Sequence, residues 1–373
     1  MSAISDSEEL AAAAVGLLRD ELSRPGVRLA AHGTAWVPEI WEAAARAGWF
    51  DLLLPEEHGG LGLGNRAAAG LFSIIGNMLI PGPYLDHVVA LPEIYPYASA
   101  PVRRYLDRAR SGESLIILAD PCAASEVGTN RPIILPGRQL IGEVELVRYG
   151  SMAEGFVVIG DEEGAPVIVL IDASAEGVEV SDRQSFDPTS SVSDVRFHHV
   201  QIPEDAILRG ASRQEITALI ERVRARMRVM IAAELSGLAR HLLDASVEYA
   251  KVREQFRRPI GSFPQVQQIL AEMTADVLGL EAYVAECCAS DQLDSLDALA
   301  LKGFASHIGR QVGEGSLQVH GAIAFTIDFE DNRWFLKALT LQGVYGDELS
   351  SFRQIGESLL AEPPPKVLAE PFR

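Results

Sequence analysis

The chain has 373 residues, 52 acidic and 32 basic side chains, a formal net charge of −20, and 48% hydrophobic against 23% charged residues. That composition fits a folded, globular protein and excludes disorder, and the length asks for two or three domains. The acidic balance argues against binding to nucleic acid or to an anionic membrane surface.

The first twenty residues carry acids ahead of a short apolar stretch, Leu10 to Leu18. This reverses the order of a signal peptide. No apolar run approaches the ~20 residues needed for a membrane span. Cys122, Cys287 and Cys288 make no disulfide framework, so a cytoplasmic location is expected.

Three blocks follow one another, and the expected fold is α+β, mainly α. Residues 1–112 read as an N-terminal helical domain. Ser5, Asp6 and Ser7 ahead of Glu8 and Glu9 look like helix-capping residues with acids in the first turn. A second helix is predicted over Pro38–Ala47, ended by Gly48, and a third over Asn65–Met78. The loop between them, Leu54 to Gly64, holds four glycines and asks for tight turns. Residues 113–208 read as a middle antiparallel β domain, with short runs at 115–118, 156–159, 167–171 and 195–197 separated by Gly, Pro, Asp and Ser. Residues 209–373 read as a C-terminal four-helix bundle. Val266, Ile269, Leu270, Met273, Val277 and Leu280 recur at helical spacing and form one core-facing stripe.

Standard catalytic constellations are missing. The eight histidines form no zinc-binding pair; His198 and His199, adjacent on a predicted strand, point to opposite faces, and no metal is expected. No nucleophile elbow or phosphate-binding glycine loop occurs, and the glycines at 59–64 do not follow a strand. The run Arg222, Arg224, Arg226, Arg228 stands out in an acidic chain. Helical spacing puts Arg222 with Arg226 and Arg224 with Arg228. Pairing with acids is the ordinary explanation, and phosphate or partner binding the alternative.

Two segments of the last block are more specific: Val252 to Phe263, continuing into Val266–Met273, and Gln318 to Phe325. With the 54–64 loop and the strand Val195–Pro203, they resemble the acyl-CoA dehydrogenase family, in order and over nearly the whole chain. The resemblance implies FAD held at a subunit interface, with Arg253, Phe256, Gln318 and Gly321 at the family positions that grip the adenosine–diphosphate half of a neighbour's FAD. A guanidinium pairs a diphosphate bidentately, and an amide reads ribose or adenine edges. It further implies α,β-desaturation of an acyl-CoA-type thioester and allows electron-transfer flavoprotein as the electron acceptor.

Departures from the family pattern are equally informative. The flavin-cradling segment is reduced to Ala119–Val127, and a second flavin-contacting stretch stands as Val147–Ser151. The catalytic glutamate is absent from both family locations, where Gly346 and Met227 stand instead. The chemistry needs a carboxylate within reach of the substrate α-carbon, and Asp347, one residue away, is the candidate base; a helix cap is its alternative role. Three readings stay open: one half of a heterotetramer with a homologous dehydrogenase subunit, a homo-oligomer using Asp347, and a scaffold or acyl-CoA-binding subunit without flavin. An oxidase on the same fold stays open as well.

Overall fold

The computed structural model describes residues 2–23, 33–124, 131–208, 212–326 and 329–361, with side chains from residue 12 onward apart from Phe325. The N-terminal region opens with α1 (Ser2–Ser23). Ser5, Asp6 and Ser7 therefore lie inside this helix and do not cap it, because the helix begins three residues earlier. Next comes α2 (Pro38–Arg46), which starts at a proline, the residue that loses least at a helix N-terminus, and ends before Gly48 at φ +77°. Its Trp41 is buried and donates through Nε1 to the Gly112 carbonyl at 3.1 Å. In the loop that follows, Gly59, Gly62 and Gly64 have positive φ. Gly60 is needed for a different reason: a Cβ there would fall 2.0 Å from the Leu54 carbonyl oxygen.

Helix α3 (Gly64–Asn77) packs against the longest helix of the chain, α6 (Arg213–Val252). Two glycines bring their backbones together. A Cβ on Gly237 would sit 1.9 Å from the Ser73 oxygen, and one on Gly76 would sit 2.1 Å from the Glu234 oxygen. After α3, a π-helical turn, Leu85–Ala90, runs into the short α4 (Leu91–Ile94), and α5 (Ala100–Arg110) is capped by Ser99.

Among the described residues the β region has eight strands: β1 (Ile116–Ala119), β2 (Ile133–Leu135), β3 (Gln139–Arg148), β4 (Gly155–Glu162), β5 (Ala165–Asp172), β6 (Val178–Arg183), β7 (Val192–Gln201) and β8 (Ile207–Leu208). Their order is β6-β7-β3-β2-β4-β5-β8, with β1 added on β4. The expectation of an antiparallel domain is corrected to a mixed sheet: β4 runs parallel to both β1 and β2. The intervening β2–β3 segment supplies the long crossover that parallel strands require. Alternate residues of β1, β4 and β5 belong to different cores. Ile116, Leu118, Val157, Ile159, Ile168 and Leu170 face the helices, while Ile117, Phe156, Val158, Val169 and Ile171 face the core of the sheet itself. Burial on both faces explains why these strands read as unbroken apolar runs.

In the C-terminal region, α6 is followed by a two-stranded hairpin, β9 (Glu254–Gln255) with β10 (Arg258–Pro259). Then come α7 (Pro264–Cys287), α8 (Ser295–His320), α9 (Asn332–Gln342) and α10 (Glu348–Ala361). Helix α8 is central and packs on α6, α7, α9 and α10. Among the described residues the region thus holds five helices, because α9 and α10 share the work of a fourth long helix.

Candidate functional site

One candidate site lies where α6 and α8 end together. Ser246 Oγ donates to Ser316 Oγ at 3.1 Å, and the Tyr249 and His320 rings are 4.5 Å apart. Arg253, whose N–H bonds the Tyr249 carbonyl at 2.8 Å, therefore shares one end of the bundle with Gln318 and Gly321. The β9–β10 turn places Phe256 and Arg257 at φ +52° and +63°, a conformation that two-residue hairpins favour but side-chain-bearing residues pay for. Phe256 is 87% exposed at the tip. Arg253, Arg257 and Gln318 are also exposed, and neither of these two arginines has an ion-pair partner among the described residues. Arg258 lies over the Phe263 ring at 4.0 Å. A Cβ added to Gly321, at φ +68°, would meet nothing within 4 Å. The result is an open cationic and aromatic surface on an otherwise acidic protein.

The second site is a cavity of 270 Å³ between the β region and the bundle, bordered by the π-helical turn, the ends of β1 and β3, α6 and the loop between α9 and α10. Both positions where the family carries its base belong to this neighbourhood: Met227 lines it, and Tyr345 next to Gly346 lines it too. The counterpart of the flavin-cradling segment borders it as well. Asp120 is fully buried and pairs with Arg224 through two bonds of 2.9 Å. Ser125, Glu126 and Val127 lie outside the described residues. The α9–α10 loop is held from three sides. Arg228 Nε donates to the Tyr345 carbonyl at 3.1 Å, Tyr345 N donates to Ala123 O at 2.9 Å, and the buried Lys302 Nζ donates to the Gln342 and Gly346 carbonyls at 3.0 and 2.7 Å. Burial pushes the Lys302 ammonium down to about 7.

Asp347 is used elsewhere. Ser350 N donates to its Oδ1 at 2.7 Å, and its own N–H bonds Ser350 Oγ at 2.9 Å. These bonds cap α10 and, with Ser350 N–H as the main cause, hold the carboxyl below its ordinary value. Asp347 does not line the cavity. The bonds to Ser350 are those of a helix cap, the alternative role that the sequence allows for Asp347. The arginine run is also accounted for: Arg222 and Arg226 share Glu93, and Arg224 takes Asp120.

Two cavity residues carry no individual role in the sequence, although Arg148 lies within the flavin-contacting stretch Val147–Ser151. Asp86, in the π-helical turn, is buried and accepts from Leu118 N at 2.8 Å; burial pushes its carboxyl up to about 7. Arg148, at the end of β3, has its Nε shut off from solvent with no acceptor. For Asp86 the only hint in the chain is an isolated acid inside the apolar run Tyr84–Leu91, and a π-helical turn cannot be read from periodicity.

Residues 5–113 match the family model for the acyl-CoA dehydrogenase N-terminal domain, and residues 218–360 match the model for its C-terminal domain. Among curated proteins, "Acyl-CoA dehydrogenase FadE27" of Mycobacterium tuberculosis is 28% identical over 338 residues, covering 87% of this chain and 89% of that protein. A solved ChsE4-ChsE5 complex from Mycobacterium tuberculosis superposes with a TM-score of 0.85 at 24% identity, covering 98% of this chain and 99% of that one. A glutaryl-CoA dehydrogenase from Mycobacterium smegmatis in complex with FADH2 gives 0.85 at 16% identity, over 96% and 95% of the two chains. With both terminal domain models matched and the three-part fold shared, the chain belongs to the FAD-dependent acyl-CoA dehydrogenase family.

Proposed function

We propose that this chain is a subunit of an acyl-CoA dehydrogenase that completes its FAD site with a homologous partner subunit. The observation that carries this reading is the placement of the two sites on one helix. Met227 and Arg253 are separated along α6 by about 39 Å at 1.5 Å per residue, too far for one dinucleotide to touch both. FAD gripped by Arg253, Phe256, Gln318 and Gly321 therefore has its flavin end in another chain. When bound, FAD supplies the acceptor for the hydride leaving the β-carbon of an acyl-CoA thioester. Within this chain Arg253 would neutralise the diphosphate, Phe256 would stack on the adenine, and Gln318 would orient the ribose or adenine edge.

The α-proton needs a carboxylate, and neither family location offers one here. Gly346 and Met227 hold those places, and Asp347 is committed to α10. Removal of the proton is therefore assigned to the partner subunit, which makes the heteromer the better reading. Electron-transfer flavoprotein is the acceptor that this family reading brings with it.

The test is a visible absorption spectrum of the purified chain, alone and co-expressed with a homologous dehydrogenase subunit. Flavin that is retained only with the partner, with half as many flavins as chains, supports the proposal. A yellow chain on its own would point to a self-sufficient enzyme. A colourless protein with every partner would leave a scaffold or acyl-CoA-binding role.

A further inference from the structure

We propose that the cavity between the β region and the bundle is a binding site for an organic carboxylate with an apolar body, taken up by the guanidinium of Arg148. This reading goes beyond the shared FAD site and does not depend on it.

Arg148 lines the cavity, and among the described residues its side chain makes no hydrogen bond or ion pair. Its one close partner is the Tyr149 ring, 5.5 Å from Cζ to the centroid. The acids nearby are engaged with other groups. Asp187 accepts from Thr189 N, Thr189 Oγ1 and Ser190 Oγ and faces Lys337 at 3.5 Å. Asp194 takes Arg183, Asp120 takes Arg224, and Asp86 Oδ1 takes the Leu118 N–H. Glu234, the remaining acid near Arg148, is buried on α6, where burial pushes its carboxyl up. Arg148 Nε is shut off from solvent without an acceptor, while the rest of the half-buried side chain borders the cavity and the nearby acids Glu234, Asp86 and Asp187 favour its charged form; an anionic ligand in the cavity would supply the acceptor that the chain itself does not.

The shape and polarity of the cavity define that ligand. Its walls are mostly apolar: Leu85, Leu118, Val147, Val192 and Met227, with the highly exposed Phe186 also on the lining. A cavity with apolar walls and one unsatisfied polar group selects a ligand with one charge on a hydrophobic body. The planar fork of arginine matches a carboxylate in two parallel bonds. Asp86 lines the same space, and burial pushes its carboxyl up to about 7, so its protonated form, which prevails below neutrality, can donate to an anion there.

Isothermal titration of the full chain at neutral pH tests the inference. The probes are hexanoate, its uncharged isostere hexanol, and the pair adipoyl-CoA and hexanoyl-CoA; visible flavin absorbance is read on the same sample. Hexanoate is expected to bind at least about tenfold more tightly than hexanol, a difference of about 1.4 kcal/mol. Arg148→Gln should abolish that preference and Arg148→Lys should retain part of it. Adipoyl-CoA binding more tightly than hexanoyl-CoA would identify the source as the distal carboxylate of an acyl thioester; equal binding of the two, with hexanoate retained, would identify a free acid. Equal affinity for hexanoate and hexanol, or an unchanged preference in Arg148→Gln, would overturn the proposal. Should Arg148→Gln fail to fold by its thermal melt, the comparison of the two isosteres on the unaltered chain still decides. Because flavin content is read independently, failure here leaves the shared-FAD reading standing.

Discussion

The two sites on α6 use the same residue type in opposite environments. At the far end, Arg253 and Arg257 stand in water beside a bare phenylalanine, unpaired and openly accessible. At the near end, Arg224 is locked onto a buried aspartate, and Arg148 lines the cavity with its Nε shut off from solvent and without an acceptor. An exposed arginine loses little by waiting for a ligand, since water solvates it meanwhile. A buried one is stable only with a partner, so each buried arginine marks either a structural pair or a binding site. Substitutions at the far end should therefore show in cofactor binding and spare stability, while those at the near end should show first in stability.

The largest effect is expected from Asp120→Ala, which removes both of Arg224's bonds to a buried carboxylate and leaves only the half-exposed Glu221 as its ion-pair partner; chemical denaturation should show a loss of about 3–5 kcal/mol. A loss below ~1 kcal/mol, the range of exposed pairs, would erase the contrast between the two ends.

Asp86→Asn sharpens the contrast in the other direction. Burial raises the folded carboxyl to about 7 from 3.8, so between these values the unfolded chain has released a proton that the folded chain still binds. The native protein therefore loses stability as pH rises through that window. Arg148 on β3 and Tyr345 in the α9–α10 loop are the titratable groups that face this carboxyl. Asparagine keeps the bond to Leu118 N without the charge. The variant should match the parent near pH 4 and exceed it by roughly 4 kcal/mol above pH 7, at 1.36 kcal/mol per unit. A difference independent of pH would show that Asp86 ionises normally in the fold.

Arg253→Ala should weaken FAD retention in the partner complex by about 10- to 100-fold, on the scale of a charge-assisted bond. The same variant should unfold within about 0.5 kcal/mol of the parent. Unfolding at much lower denaturant would make the hairpin a structural element, not a cofactor grip.

The smallest effect is expected from Asp347→Ala, which removes a helix cap worth about 1 kcal/mol and should leave desaturation by the complex unchanged. Loss of turnover with flavin still bound would restore Asp347 as the base.

Much of the fold was legible because its signals are local. Pro38 and Gly48 bracket α2, the 54–64 glycines mark turns, and the Val266–Leu280 stripe marks α7. The resemblance likewise rested on contiguous segments, and Arg253, Phe256, Gln318 and Gly321 do share one end of the bundle. The parallel pairing of β4 with β1 and β2 was not legible, since a strand buried on both faces reads the same whichever way its neighbour runs. Asp347 was ambiguous for a related reason: its spacing allows a base or a cap, and the bonds to Ser350, which favour the cap, are visible only in the fold.

The chain by itself determined the order of helices, sheet and helices, the segments that carry Arg253, Phe256, Gln318 and Gly321, and the absence of glutamate at the family's base positions, because each is written in neighbouring residues. Only the tertiary structure decided that Asp86 and Arg148 meet one cavity and that the two sites lie at opposite ends of α6. Burial, desolvation and pairing depend on residues far apart in the chain, here 62 positions between Asp86 and Arg148, and no local pattern records them.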